Sequence, residues 1–282
     1  VKLSYRNQRN ARVVAEYYNK PLDKPDWYTI NAAVGNEPAE LFIYDYIGWP
    51  FNEASELVRA MAEIRDTPIL ARLNSPGGDV FDGIAILNAF ANHPGGVTVR
   101  IESLAASIAS VLAMGGRKVE AYPNTMMMIH NSLVFAAGNR KELLEIADVL
   151  EQIDENMVGA YTGKTKLGKR EVRDMMAAET WMNAKTMKEK GFVDEVLKSG
   201  KAAKATFDLS IFANAPDDIL TVHGEGGREL TTREIERALR DAGGSRTFAK
   251  AIAAGCSDGN SQRDVESICR MVQGITLNLK EQ

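Results

Sequence analysis

Ile101-Glu-Ser-Leu-Ala-Ala-Ser-Ile-Ala-Ser-Val-Leu-Ala-Met-Gly-Gly116 is apolar or tiny at nearly every position from Leu104 to Met114. That pattern predicts a buried helix, with the glycine pair as its C-terminal stop. Ser107 then falls in the first turn. Backbone N–H groups there lack intrahelical acceptors and the helix presents its positive end, so negative charge developing beside the hydroxyl would be received. Taken alone, such a serine reads as a buried hydroxyl bonded to the preceding turn. Two other stretches change that balance.

The first is Leu73-Asn-Ser-Pro-Gly-Gly-Asp-Val80, between a short apolar strand, Ile69 to Leu73, and an amphipathic helix, about Phe81 to Phe90. Pro76 and the two glycines force an open turn whose amides a ligand can approach without meeting a Cβ. Such a turn suits an oxyanion hole, although by itself it is only a strand-to-helix connection. The second is Thr125-Met-Met-Met-Ile-His-Asn131, an apolar run set off by Pro123-Asn124 and read as a buried strand ending at His130. A histidine there is commonly a satisfied core residue, yet beside a serine it is the natural general base.

In this order, with a strand and a helix between each, Asn-Ser-Pro-Gly-Gly, Ala-Ala-Ser and Met-Ile-His resemble the proteolytic subunit of Clp protease, ClpP. The resemblance covers about Ala39 to Leu197. It implies an α/β fold of the ClpP and crotonase type, a β-α-β superhelix with a long handle helix, and a serine endopeptidase activity without cofactor or metal. By position, Ser107 matches the nucleophile and His130 the base, and the amides of Gly78 and Ile108 match the oxyanion hole. The third member falls within Glu179-Thr-Trp-Met-Asn-Ala-Lys-Thr-Met-Lys-Glu-Lys-Gly-Phe-Val-Asp194, where Glu179 stands in place of the family's Asp. A carboxylate of either length can hold the imidazole tautomer and stabilise the imidazolium. Asp174 is the reserve candidate. Ser132 is a second departure, since ClpP has Pro there.

The alternation of elements supports that fold independently. Trp27 to Ala32 and Glu40 to Gly48 read as strands, Ser55 to Ile64 as an amphipathic helix, and Val97 to Ile101 as a further strand. Strands alternating with helices argue for a largely parallel sheet. From about Arg140 to Tyr161, Leu143, Leu144, Ala147, Leu150, Ile153 and Met157 keep helical spacing over more turns than a core helix needs. In ClpP the matching helix interlocks stacked rings, so the resemblance implies a homo-oligomer, ring-forming by analogy. Thr162-Gly-Lys-Thr165 lacks the preceding glycine of a phosphate loop and follows a helix rather than a strand.

With 282 residues, 45% hydrophobic and 26% charged, the chain has room for one peptidase-sized domain plus appendages. We divide it into a basic N-terminal arm (1–26) with a helical turn near Ala11 to Tyr18, a ClpP-like domain (27–197), and a linker with a helical C-terminal appendage (198–282). A net charge of −4 makes no general case for nucleic acid or an anionic membrane. Cys256 and Cys269, with only three histidines in the chain, carry no metal-ligand spacing and read as free thiols in a reducing compartment. Without a stretch of membrane-spanning length, the expected location is the cytoplasm, that of a host if the gene is a phage's.

Beyond Leu197 the likeness to ClpP stops. Thr206 to Ala213 reads as a strand, and the segment from Thr231 carries a capping box and short helices around glycine turns. Interleaved acidic residues disfavour a DNA-binding helix pair. The run from Thr232 to Ala254 resembles a segment that follows ClpP-like peptidases in phage capsid gene clusters. The leading expectation is therefore a phage head maturation protease acting on scaffold or capsid proteins, or on itself. The alternatives are a cellular ClpP-like subunit working with an ATPase, a mainly structural assembly scaffold with a weak or self-cleaving site, and a crotonase-like acyl-CoA enzyme.

Overall fold

The computed structural model describes residues 14–15, 27–64, 66–134, 136, 138–198, 207, 209 and 211–216. The chain divides into two units, residues 24–205 with Val1, and residues 2–23 with 206–282. The first contains β1 (Tyr28–Asn31), β2 (Ala39–Tyr44), α1 (Ala54–Glu63), β3 (Ile69–Ser75), α2 (Val80–Ala91) and β4 (Val97–Ala106). It continues with α3 (Ile108–Ala113), β5 (Lys118–Ala121), β6 (Met126–Ile129), α4 (Arg140–Lys164), α5 (Lys169–Ala177), β7 (Thr180–Asn183), α6 (Ala184–Lys190) and β8 (Glu195–Val196).

The strands run in the order β1-β2-β3-β4-β5-β8, with β6 paired to β4 and β7 paired to β6. All pairings from β2 to β8 are parallel, as is β4 with β6, while β1 with β2 and β6 with β7 are antiparallel. The expected parallel α/β architecture is present. Helices cover one face of the central strands, where the alternating Leu41, Ile43, Ala71, Leu73, Val99 and Ile101 are fully buried, while the other face carries Arg72 paired with Glu40 and Glu102, and Arg100 paired with Glu120. Leu57 and Met61 of α1 and Ile86 and Phe90 of α2 supply part of that cover.

Strand β4 is the element that positions the site. Its first half pairs with β5, from Thr98↔Lys118 to Ile101↔Ala121. Its second half leaves that partner for β6, with Leu104↔Met126, Ala105↔Met127 and Ala106↔Met128. This corrects the expected helix over Leu104 to Met114: the chain stays extended to Ala106, and α3 is only six residues long. The run of small apolar residues does not distinguish a buried strand from a buried helix, and the hydrogen bonds offered by β6 decide for strand. Strands β5, β7 and β8 were not expected either; Lys118-Val-Glu-Ala121, Thr180-Trp-Met-Asn183 and Glu195-Val196 mix polar with apolar residues, unlike the equally short apolar run of β6.

Helix α4 runs 25 residues behind a capping box, in which the Asn139 side chain accepts from the Lys141 and Glu142 N–H groups and Glu142 accepts from the Asn139 N–H. It continues past the expected end at Tyr161 to Lys164. The Lys164 ammonium donates to the carbonyls of Gly116 (3.2 Å) and Arg117 (3.3 Å) and pairs with Asp194 (3.0 Å), a structural task with no resemblance to phosphate binding. The next helix, α5, starts at Lys169.

In the second unit, Leu209, Phe212 and Ala215 are buried and the Phe212 N–H donates to the Leu209 carbonyl. Residues 211–214 form turns, so the strand expected over Thr206 to Ala213 does not form there. Val14 and Ala15 are helical. The rest of the arm, both cysteines and the helices expected from Thr231 lie outside the described residues.

Candidate active site

The chain reverses from strand to helix at a single residue. Ser107 has φ 55° and ψ −130°, a left-handed φ that disfavours a residue with a Cβ. Two neighbours hold it there. The Ser107 N–H donates to the Met128 carbonyl of β6 at 2.9 Å, and the Ser107 carbonyl accepts from Ser110 both through the backbone N–H at 3.0 Å and through the hydroxyl. Ser107 is thus the residue that caps α3 rather than one in its first turn. The corner pushes its hydroxyl out of the sheet, half-exposed.

Strand β6 delivers the partner. His130 follows its last residue, Ile129, and the Ser107 Oγ lies 2.7 Å from Nε2. With the ring proton on Nδ1, the hydroxyl donates to Nε2, which is the arrangement for proton removal from a nucleophile. Burial holds the imidazole below its ordinary value of 6.5, while the carboxylates of Glu179 and, less strongly, Asp154 pull it upward. A depressed value keeps the base neutral, and so able to accept a proton, further into the acid range.

Glu179 sits immediately before β7, also at a positive φ, 46°, and β7 pairs with β6 in the register Ile129↔Thr180. That pairing carries Glu179 to the histidine. Its Oε1 accepts from the Trp181 indole N–H at 3.3 Å. The reserve candidate, Asp174, lies exposed on α5, 3.9 Å from Arg170.

The turn after β3 faces the same hydroxyl. Gly77 and Gly78 have φ of 106° and 150°. A Cβ on Gly77 would come within 2.6 Å of the Ser107 Cβ, and one on Gly78 within 1.9 Å of the Ile47 carbonyl oxygen, so only glycine permits this approach. Around them the Ile47 N–H donates to the Gly77 carbonyl (2.8 Å) and the Asp79 N–H to the Ile47 carbonyl (2.7 Å). Among the described residues the Gly78 amide donates to no backbone acceptor, and Ile108, the first residue of α3, has no intrahelical acceptor for its own N–H. Two such amides beside a serine hydroxyl are the donors that a tetrahedral oxyanion requires.

Three contributors were not foreseen. Asp154, on α4, accepts the Ser132 N–H at 2.7 Å. Ser110 and Tyr161 form a buried pair at 2.7 Å; because the Ser110 hydroxyl donates to the Ser107 carbonyl, the Tyr161 hydroxyl is the donor to Ser110. In the sequence Asp154 is one acid among many on a charged helix, and Tyr161 one apolar position in its stripe. Among the described residues no group of His, Cys, Asp and Glu side chains could hold a metal ion.

A strand-to-helix corner bearing serine against a strand-end histidine defines a hydrolase-like site on a ClpP-type sheet. The family model for Clp protease matches residues 27–200, more than half of the chain, and the chain belongs to the Clp protease family, whose members are ClpP-type serine peptidases. The chain is 30% identical over 175 residues to ATP-dependent Clp protease proteolytic subunit 1 of Protochlamydia amoebophila, covering 59% of this chain and 84% of that one. It is 32% identical over 144 residues to the subunit of Bdellovibrio bacteriovorus (49% and 68%) and 30% identical over 176 to that of Cuscuta gronovii (60% and 79%).

Proposed function

We propose that the chain is a serine endopeptidase in which Ser107 attacks the scissile carbonyl and His130 takes its proton and returns it to the leaving amine. Glu179 orients the imidazolium and balances its charge, and the amides of Gly78 and Ile108 hold the oxyanion. The observation that carries this reading is the 2.7 Å contact between the Ser107 hydroxyl and the His130 Nε2. Fluorophosphonate labelling with intact-mass and peptide mapping tests it. A single adduct on Ser107 is expected, absent in Ser107→Ala and formed roughly a thousandfold more slowly in His130→Ala. An assembled, folded protein that takes no adduct would reject the reading and leave the assembly scaffold ahead of it.

For biological context we favour phage head maturation, with scaffold or capsid protein, or the chain's own tail, as substrate and the host cytoplasm as location. The support is the likeness of Thr232 to Ala254 to segments that follow capsid-cluster peptidases. A cellular subunit serving an ATPase is the second reading, favoured by the relatives, each called a subunit of an ATP-dependent Clp protease. Cleavage of a co-expressed scaffold protein without ATP supports the first; degradation only with an unfoldase and ATP supports the second. Oligomerisation through α4 belongs to both. Among the described residues no helix is long and apolar enough to cross a membrane.

A further inference from the structure

Two residues beyond His130, the chain is fastened to α4 at two points. The Ser132 N–H donates to Asp154 Oδ1 at 2.7 Å and the Ser132 hydroxyl donates to the Leu150 carbonyl at 3.3 Å. On the near side, His130 is held by β6, paired with β4 over Met126–Met128 and with β7 over Met126–Ile129. The imidazole therefore hangs between a doubly paired strand and a segment whose backbone N–H meets a carboxylate. A carboxylate accepting a backbone N–H makes a stronger bond than a neutral acceptor.

We propose that Asp154 is a positioning residue for His130, fixing through the Ser132 amide the path of the chain that leaves the histidine and setting a second negative charge, after Glu179, beside its ring. This rests on the peptidase reading for its consequence in catalysis, though not for its geometry. The charged groups acting on the ring are Glu179, ahead of β7, and Asp154, from α4. Asp154 raises the basicity of the imidazole against the opposing effect of burial. Its removal leaves the base neutral to lower pH but weaker, and leaves the Ser132 N–H without its acceptor.

Two variants separate these contributions. Asp154→Asn keeps an oxygen for the Ser132 N–H and removes the charge; Asp154→Leu removes both. The His130 ring is titrated by NMR in a Ser107→Ala background, its signals assigned among the three histidines with His130→Ala. In parallel, the rate of fluorophosphonate labelling is followed from about pH 5 to about pH 8 in the Ser107 form. Both variants are expected to titrate at lower pH than the parent and to move the acid limb of labelling the same way. Asp154→Asn, with a weaker base but its following segment still held, should lose about threefold in plateau rate, and Asp154→Leu about tenfold. A parental titration in Asp154→Asn, or a plateau for Asp154→Leu within twofold of the parent, overturns the assignment. Should the parent not label while the ring titration still shifts, the peptidase reading fails and the positioning role stands.

Discussion

The two halves of helix α4 share one apolar stripe and meet opposite fates. From Ile153 to Lys164 the helix is built into the domain: Ile153, Met157, Val158 and Tyr161 are buried, Tyr161 packs edge-on against Phe192, and Lys164 ties the end to the turn before β5 and to Asp194. From Arg140 to Leu150 no residue is buried, and Leu143 and Leu144 are 42% and 48% exposed. The difference shows which part of the stripe serves this chain's own core and which stays open to solvent in the single chain. The adjacent exposed Leu143 and Leu144, with exposed Leu133 and Val134 in the preceding segment, form the apolar surface on which the oligomerisation proposed above would rest. The inner half also reaches the candidate site, through Tyr161 and Ser110 to the Ser107 carbonyl and through Asp154 to the segment after His130.

Cutting a side chain from the inner half tests the comparison most severely. Met157→Ala should cost about 2–5 kcal/mol, since it leaves a cavity between α4 and the core, and chemical denaturation would read it as a lower midpoint at unchanged slope. A loss below about 0.5 kcal/mol would mean that the inner half is not core. Tyr161→Phe is a smaller probe of the same half. It removes only the hydroxyl that donates to Ser110, so we expect about 1 kcal/mol of destabilisation together with a few-fold slower labelling of Ser107. Unchanged labelling would disconnect the helix from the nucleophile corner. In the outer half, Leu143→Glu with Leu144→Glu should leave subunit stability within about 0.5 kcal/mol while lowering the oligomer mass measured by light scattering. Aggregate-free protein of unchanged mass would show that this face is not the contact.

Much of the site was legible in the sequence because its parts are local. A proline followed by two glycines announces an open turn wherever it lies, and Gly77 and Gly78 hold the positive φ and close approach that only glycine allows. Ser107 and His130 were both marked, and the structure sets them within hydrogen-bonding distance. The conformation of Ser107 was not legible. Small apolar residues fit strand and helix equally, and the choice rests on β6, which lies about twenty residues further along the chain. The carboxylates differ for another reason. Asp174, Glu179 and Asp154 are all acids on or beside helices, and only the pairing of β7 with β6 and the packing of α4 select the two that act on the imidazole.

By itself, then, the sequence determined the parallel α/β class, the glycine turn, the serine and the histidine, since backbone freedom, hydrophobic period and side-chain chemistry are carried by adjacent residues. Tertiary structure alone decided that Ser107 stands at a corner rather than within a helix, that Glu179 and Asp154 face the imidazole while Asp174 faces solvent, and that one stripe on α4 divides into core and open surface. Those outcomes depend on hydrogen bonds and electrostatic contacts between segments far apart in the chain, where no local pattern records which partner will arrive.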